Sequence, residues 1–190
     1  MSKYPDVPLI TWSDKVVGEA QLSVIRELEL PARVARVFML NDDGEILLQK
    51  RSGSVNNPGL IDCSADGWVD TTDLSEEGEV GDYLVAARRE TQEELGIEVG
   101  EKLQVIGHYL LRGAVEIPEW TKLYIAPYDE KTDGEVKPND EVQEVTWMCP
   151  NDVIELSEQQ PEVFEPGARL AIQKLNNFLE SQNFKINNYN

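Results

Sequence analysis

The alternation of apolar and polar positions predicts short strands interrupted by two helices. Residues 34–40 are rich in β-branched and apolar side chains, which favours a strand. A turn sequence follows at residues 41–44, and residues 45–50 are predicted to pair back as a second strand. Residues 8–20 are predicted to form a hairpin, and residues 21–30 a short helix or strand. Further strands are predicted over residues 60–69, 102–111, 120–128 and 142–148.

Two segments have the pattern of helices. Across residues 83–95 the less polar side chains recur every three or four positions, with Asp82 as a candidate N-cap and Gly96 as a candidate C-cap. The preceding residues 70–82 are polar and contain glycines, which indicates a loop. A C-terminal helix is predicted over residues 161–181. Because no regular βαβ repeat is present, we expect an α/β (α+β) fold, one domain over all 190 residues with a mixed sheet flanked by helices.

The strong negative charge narrows the classes of partner. The chain carries 36 Asp and Glu against 17 Lys and Arg, a formal net charge of −19. Binding to a nucleic-acid polymer or an anionic membrane surface relies on Lys and Arg, so neither partner is expected. The two cysteines do not suggest a disulfide framework, no apolar run approaches the roughly 20 residues that span a bilayer, and the start does not have the pattern of a signal peptide. We therefore expect a cytoplasmic protein.

The candidate chemistry is concentrated in residues 89–97, which read Arg-Glu-Thr-Gln-Glu-Glu-Leu-Gly-Ile. On a helix, Glu90 and Glu94 share a face and Glu93 lies beside them. Three carboxylates this close repel one another unless positive charge lies between them, and Mg²⁺ prefers such oxygen ligands together with substrate phosphates. Arg89 is four residues before Glu93 and can pair with it. The pattern therefore predicts a metal site at Glu90, Glu93 and Glu94.

Residues 67–97 resemble the Nudix box, whose pattern is Gly-x5-Glu-x7-Arg-Glu-U-x-Glu-Glu-x-Gly-U, where U is aliphatic. The second half is matched at Arg89, Glu90, Glu93, Glu94, Gly96 and Ile97, with Thr91 at the first aliphatic position. The resemblance implies the fold of that family, a Nudix-like α/β/α sandwich with a mixed β-sheet and a catalytic loop-helix-loop. It also implies Mg²⁺-dependent hydrolysis of a diphosphate (pyrophosphate) linkage, with Mn²⁺ as a substitute.

The first half of the box is displaced. Gly67 resembles the opening glycine but lies 22 residues before Arg89, so an insertion of about eight residues is expected at about 70–81. Because the insertion falls inside the box, we expect it to emerge beside the diphosphate. The glutamate of the first half resembles Glu79, yet counting back from Arg89 puts Gly81 in that position. The role of Glu79 is therefore open.

Four other segments resemble the Nudix branch related to type I isopentenyl-diphosphate isomerases. They are the hairpin at residues 8–20, the strand pair at residues 33–51, the Pro-Gly pair at residues 58–59 and residues 141–147. That enzyme needs a catalytic cysteine and several metal-binding histidines. Counting from the Pro-Gly pair at residues 58–59, those positions fall on Asp66 and Trp68, whereas Cys63 comes three residues too early and His108 is the single histidine. Hydrolysis is therefore the favoured function. The alternatives are an isomerase-like enzyme and a non-catalytic ligand-binding or regulatory module.

The remaining site residues are assigned by position. Arg89 is expected to orient the carboxylates, and either Glu93 or Glu141, which follows a Pro-Asn-Asp turn, to accept a proton from water. Gly67, Trp68 and Arg51 are the candidate substrate contacts. The substrate is expected to be a nucleoside diphosphate derivative or a similar small phosphorylated metabolite. The oligomeric state is open, with a homodimer as a hypothesis.

Overall fold

The structure, a computed structural model, describes residues 5–187, with side chains described for residues 5–182. Its strands are β1 (Asp6–Ile10), β2 (Val16–Gln21), β3 (Ala32–Leu40), β4 (Ile46–Arg51), β5 (Ile61–Asp62), β6 (Ala65–Trp68), β7 (Gln104–Leu111), β8 (Glu119–Pro127) and β9 (Val142–Met148). Its helices are α1 (Leu22–Glu27), α2 (Tyr83–Leu95), α3 (Glu130–Asp133), α4 (Pro150–Gln159) and α5 (Pro166–Asn187). Within the described range, no helix is long and apolar enough to cross a membrane.

Strands β3 to β9 form one mixed sheet of seven strands. Strand β3 pairs with β8 in parallel, and with β6 and the start of β4 in antiparallel fashion. Strand β7 lies beyond β8, and β9 pairs along β4. Strands β1 and β2 form a separate two-stranded hairpin at the N-terminal end. The expected mixed sheet is confirmed.

Helices cover both faces of this sheet. Successive residues of a strand point to opposite faces, so Val37 and Met39 pack in one apolar cluster with α2, while Phe38 packs in another with α5 and α4. A third, smaller cluster joins the hairpin and α1 to the end of the sheet, where Ile117 and Trp68 lie. The predicted α/β/α sandwich is therefore confirmed, and α2 is fixed directly above the strands that carry the candidate site.

Four segments differ from the sequence-based prediction: helices α3 and α4 were not predicted, and two predicted elements have other bounds. The strand expected over 60–69 is divided into β5 and β6, because the Ser64 hydroxyl donates to the Leu47 carbonyl at 2.6 Å and accepts from the Met39 amide at 2.7 Å, replacing strand-to-strand bonds. The helix expected from residue 161 begins at Pro166. A 3-10 turn at Pro161–Val163 precedes it, and Phe164 is extended because its ring is buried in the core.

Candidate active site

Helix α2 carries the candidate catalytic residues, and its ends were predicted correctly. The Asp82 carboxylate accepts from the backbone amides of Leu84 (2.7 Å) and Val85 (3.1 Å), as an N-cap does. Gly96 ends the helix in the left-handed conformation, with φ of 71°. Thr91, the departure from the Nudix box, is fully buried, and its hydroxyl donates to the Ala87 carbonyl at 2.7 Å. The polar atom is thereby satisfied, which explains why threonine is tolerated at an aliphatic position.

A cleft of about 450 Å³ lies between α2, the strands below it and the loops around residues 54–56 and 141. Its lining includes every site residue predicted from the sequence: Arg51, Gly67, Trp68, Arg89, Glu90, Glu93, Glu94 and Glu141. Asp66, Asp70 and Arg26 also line it and were not predicted. The fold therefore brings together residues from segments far apart in the sequence.

Arg89 is the centre of the hydrogen-bond network in this cleft. Its Nη1 donates to Glu90 at 2.7 Å and to Glu93 at 3.2 Å, as the spacing predicted for Glu93. Its Nε and Nη2 donate to the two carboxylate oxygens of Asp73, both at 2.9 Å, and Nη2 also donates to the Trp68 carbonyl at 3.0 Å. A two-point bond to a buried carboxylate fixes the guanidinium plane.

Asp73 was missed by the sequence-based reasoning, although the sequence contains the signal. It lies six positions after Gly67, which is the spacing between the glycine and the glutamate in the first half of the Nudix box. Asp73, not Glu79, therefore contacts the arginine of the box. Glu79 is exposed and lines a separate small cavity with Asp14 and Lys122.

The insertion lies within the predicted range 70–81, after Asp73. Residues 74–80 fold back on themselves as a small hairpin, with a bridge between Leu74 and Val80, and the Asp73 carbonyl accepts from the amides of Gly81 and Asp82. The expectation that the whole insertion emerges beside the diphosphate is wrong. Of residues 70–81, Asp70 alone lines the cleft, because the hairpin is closed at its base before it reaches the carboxylates.

Gly67 is required by the close approach of α2. A Cβ atom added at residue 67 would lie 2.0 Å from the Glu90 Oε1 atom, well inside van der Waals contact. Any larger residue would therefore push the Glu90 carboxylate away from the strand. The opening glycine of the box acts here by leaving room for a carboxylate of its second half.

Glu94 is a buried carboxylate, and Glu90 is half-buried beside it. Glu94 Oε2 accepts from the Gln49 side-chain amide at 2.9 Å and from the Asp66 backbone amide at 3.0 Å. Burial, together with the charges of Asp66 and Glu90, raises the pKa of Glu94 well above its ordinary value. Burial also raises the pKa of Glu90 to about 8, although Arg89 opposes the rise. Both carboxyl groups are therefore harder to ionise than a glutamate in water, because the positive charge near them does not offset their burial.

The carboxylates of Glu90, Glu93 and Glu94 are of the chemical type that binds a hard divalent cation, but in this structure they do not point at one common position. Among residues 5–182, no three Asp, Glu, His or Cys side chains are arranged so that they could hold a metal ion. Arg89 engages the carboxylates of Glu90 and Glu93, while Gln49 engages Glu94. The Glu93 side chain is 56% exposed, so it can change rotamer without disturbing the core. Carboxylate oxygens in a cleft open to solvent are suitable Mg²⁺ ligands.

The other predicted residues occupy distinct parts of the cleft. Arg51 donates through Nη1 to Asp62 (2.7 Å) and Asp66 (3.0 Å), and through Nε to the Asn56 carbonyl, so its guanidinium is held rigidly in the wall. Glu141 is exposed on the rim. Glu144, its neighbour on β9, is exposed but does not line the cleft.

The residues that an isomerase would use are not in the cleft. Cys63 is fully buried in the apolar cluster beneath α5, and burial raises the pKa of its thiol. His108 lies on β7, where Nε2 is 3.0 Å from Asp14 Oδ2 and the ring packs edge-on against Tyr83. As predicted, Cys63 is a small buried apolar residue, and no histidine lines the cleft, since His108 is the single one in the sequence.

Comparisons with known proteins give a consistent result. A family model described as the NUDIX domain matches residues 30–170. An uncharacterized Nudix hydrolase of Yersinia pestis is 28% identical over 150 residues, 77% of this chain and 74% of the relative. An isopentenyl-diphosphate Delta-isomerase of Paenarthrobacter aurescens (strain TC1) is 26% identical over 163 residues, 84% of each chain. A Deinococcus radiodurans crystal structure shares the fold, with a TM-score of 0.68 and 22% identity over 88% of this chain and 98% of that one.

Proposed function

The chain belongs to the NUDIX family and is a Nudix hydrolase, and we propose that it cleaves a diphosphate linkage with the help of Mg²⁺. The substrate would be a nucleoside diphosphate derivative or a similar small phosphorylated metabolite. The relative from Paenarthrobacter is named an isomerase, but Cys63 is buried and His108 lies outside the cleft. The cytoplasmic location, the homodimer and the absence of nucleic-acid and membrane partners stay predictions.

The observation that carries this proposal is the pair of carboxylates at Glu90, which is half-buried, and Glu94, which is buried. Both line a cleft that is open to solvent, and both have a raised pKa because burial is not balanced by positive charge. Such an arrangement costs stability in the absence of a cation and is suited to binding one. A protein that merely packs a helix on a sheet has no need for it.

Glu90, Glu93 and Glu94 would hold the cation. When bound, Mg²⁺ neutralises charge on the diphosphate and lowers the pKa of the attacking water. Arg89, locked by Asp73, keeps the Glu90 and Glu93 carboxylates at the cleft. On the rim, Glu141 would accept the proton of the water, with Glu93 as the alternative base.

The substrate contacts follow from the walls of the cleft. Trp68 lies in the wall with the Arg26 guanidinium 5.9 Å from its ring centroid, and it would contact the substrate. Arg51, fixed by Asp62 and Asp66, would meet a phosphate oxygen. Gly67 contributes by having no side chain, which lets the Glu90 carboxylate approach the strand.

The proposal is tested by a screen of diphosphate compounds with Mg²⁺, with Mn²⁺ and with EDTA, the products being identified by mass. Glu94→Gln should lower the rate of turnover by about 10²-fold or more, because it removes a charged metal ligand while keeping the shape of the side chain. Glu144→Gln is the matched control, since this exposed glutamate lies outside the cleft. Turnover that persists in EDTA, or in Glu94→Gln, contradicts the proposal.

A further inference from the structure

A second cavity continues from the proposed catalytic cleft. It has a volume of about 480 Å³ and shares six lining residues with the cleft: Arg26, Arg51, Asn56, Asp66, Gly67 and Trp68. Its size is that of a small-molecule pocket. Because the two cavities have a common wall, a group attached to a diphosphate in the cleft would extend into this second cavity. This placement of the substrate rests on the proposed function.

The floor of the second cavity is a buried ion cluster around Arg36. This arginine is 2% exposed, and it donates through Nη1 to Glu119 at 3.0 Å and through Nη2 to Glu165 at 3.3 Å. A Cβ atom at Gly167 would lie 2.0 Å from Arg36 Nη2, so the guanidinium is held tightly against α5. The Arg36 Nε is buried and has no hydrogen-bond partner among the described atoms. The floor is therefore both charged and rigid.

The cavity is lined by more carboxylates than arginines. Four carboxylates line it, those of Asp66, Glu116, Glu119 and Glu165. Each of the three lining arginines already has a carboxylate within 3.3 Å: Arg26 has Glu116, Arg36 has Glu119 and Glu165, and Arg51 has Asp66. A carboxylate accepts hydrogen bonds and donates none when ionised. The lining therefore carries one more carboxylate than arginine, and each arginine is engaged by a carboxylate, so the cavity has an excess of negative charge.

We infer that this cavity takes the part of the substrate beyond the diphosphate, and that this part carries hydrogen-bond donors, either hydroxyls or an ammonium group. An isoprenoid tail would offer no hydrogen bond to the Glu119 and Glu165 carboxylates, and it would place an apolar group against a charged wall, which is unfavourable. A further phosphate group would meet four carboxylates against three paired arginines and be repelled. The cluster of Arg36, Glu119 and Glu165 determines this specificity.

The test measures dissociation constants by calorimetry in Mg²⁺, with every probe carrying a methylene group in place of the oxygen that bridges its two phosphorus atoms, so that the probe is not hydrolysed and the result does not depend on turnover. The probes are four alkyl diphosphates of similar size: 2,3-dihydroxypropyl, 2-aminoethyl, isopentenyl and 2-phosphoethyl diphosphate. The dihydroxypropyl or the aminoethyl compound should bind at least about tenfold more tightly than the other two, because a polar site rejects analogues that leave its groups unpaired. Which of these two binds better identifies the donor as hydroxyl or ammonium. Equal or tighter binding of the isopentenyl or phosphoethyl compound overturns the inference.

A variant at the rim tests the location. Ala114 is exposed and lines the second cavity, so Ala114→Trp should fill it without disturbing the core. We expect at least about fivefold weaker binding of the preferred alkyl diphosphate and unchanged binding of inorganic diphosphate, which does not reach beyond the cleft. Val17→Trp, on the exposed face of the hairpin, controls for added bulk. Unchanged binding of the alkyl diphosphate in Ala114→Trp overturns the inference. Absence of hydrolysis in the screen, with the expected order of binding, instead overturns the proposed function alone.

Discussion

Replacing Glu90 by glutamine should stabilise the cation-free protein at alkaline pH and leave its stability at acid pH unchanged. Burial raises the pKa of Glu90 from 4.5 to about 8, with Asp66 and Glu93 adding to the rise and Arg89 opposing it. This difference corresponds to roughly 5 kcal/mol, since one pKa unit is worth about 1.4 kcal/mol. The folded state therefore disfavours the ionised form.

The sign of the pH dependence follows from which state binds the proton more tightly. Below pH 4.5, Glu90 is protonated in both states, and its contribution to stability is fully present. As the pH rises to about 8, the unfolded chain ionises while the folded chain keeps its proton, so the free energy of unfolding falls. Glutamine resembles the protonated form and escapes this loss. Allowing for relaxation of the folded state, we expect a gain of about 2–4 kcal/mol for Glu90→Gln at about pH 8.5.

The assay is urea unfolding in EDTA, followed by tryptophan fluorescence, of wild type and Glu90→Gln at about pH 4 and about pH 8.5. The two proteins should coincide at the lower pH and separate at the higher one. Adding Mg²⁺ at the higher pH should raise the free energy of unfolding of the wild type and have little effect on that of the variant. A cation that binds only the folded state stabilises that state. Equal destabilisation of Glu90→Gln at both pH values, or an equal response of both proteins to Mg²⁺, refutes the reasoning.

Three further substitutions test individual assignments. Asp73→Asn should lower kcat by about tenfold or more, measured by steady-state kinetics on the best substrate, since it loosens the arginine of the box. Glu141→Gln should lower kcat by about 10²-fold with little change in KM if this residue is the base, and Glu144→Gln should match wild type. The opposite ranking would show that the wrong carboxylate was chosen. Cys63→Ala should cost about 1 kcal/mol in urea unfolding and leave hydrolysis unchanged, and loss of activity without loss of fold would restore a chemical role for the thiol.

Local signals made α2 predictable, whereas the contacts that position its carboxylates were not. The cap at Asp82 and the left-handed Gly96 lie next to the helix they bound, so sequence spacing was sufficient. Gln49 is 45 residues from Glu94, and their hydrogen bond depends on the register of β4 beneath α2. No pattern within one segment contains that register. The sequence therefore predicted which residues line the cleft, but not the hydrogen bonds that fix the positions of their side chains.

Two errors came from treating a segment as continuous. Counting back from Arg89 included residues 74–80, which form a hairpin whose two ends meet at Asp73. The wrong residue was therefore matched to the glutamate in the first half of the box. Counting forward from Gly67 gives Asp73. Likewise, Pro161 has the character of a helix start, but burial of Phe164 in the core postpones the helix to Pro166. In both cases tertiary contacts decided the outcome.

The central claim, that this chain hydrolyses a diphosphate linkage, is tested most directly by running the reaction in water enriched in ¹⁸O. With Mg²⁺ and the best substrate of the screen, hydrolysis requires that each cleavage place one ¹⁸O atom in a phosphate product, detected by mass, and that EDTA and Glu94→Gln suppress this label together. An isomerase would convert isopentenyl diphosphate without labelling the phosphates, and a binding module would return the substrate unchanged. Product formation without ¹⁸O in phosphate, or labelling that survives in both EDTA and Glu94→Gln, contradicts the account.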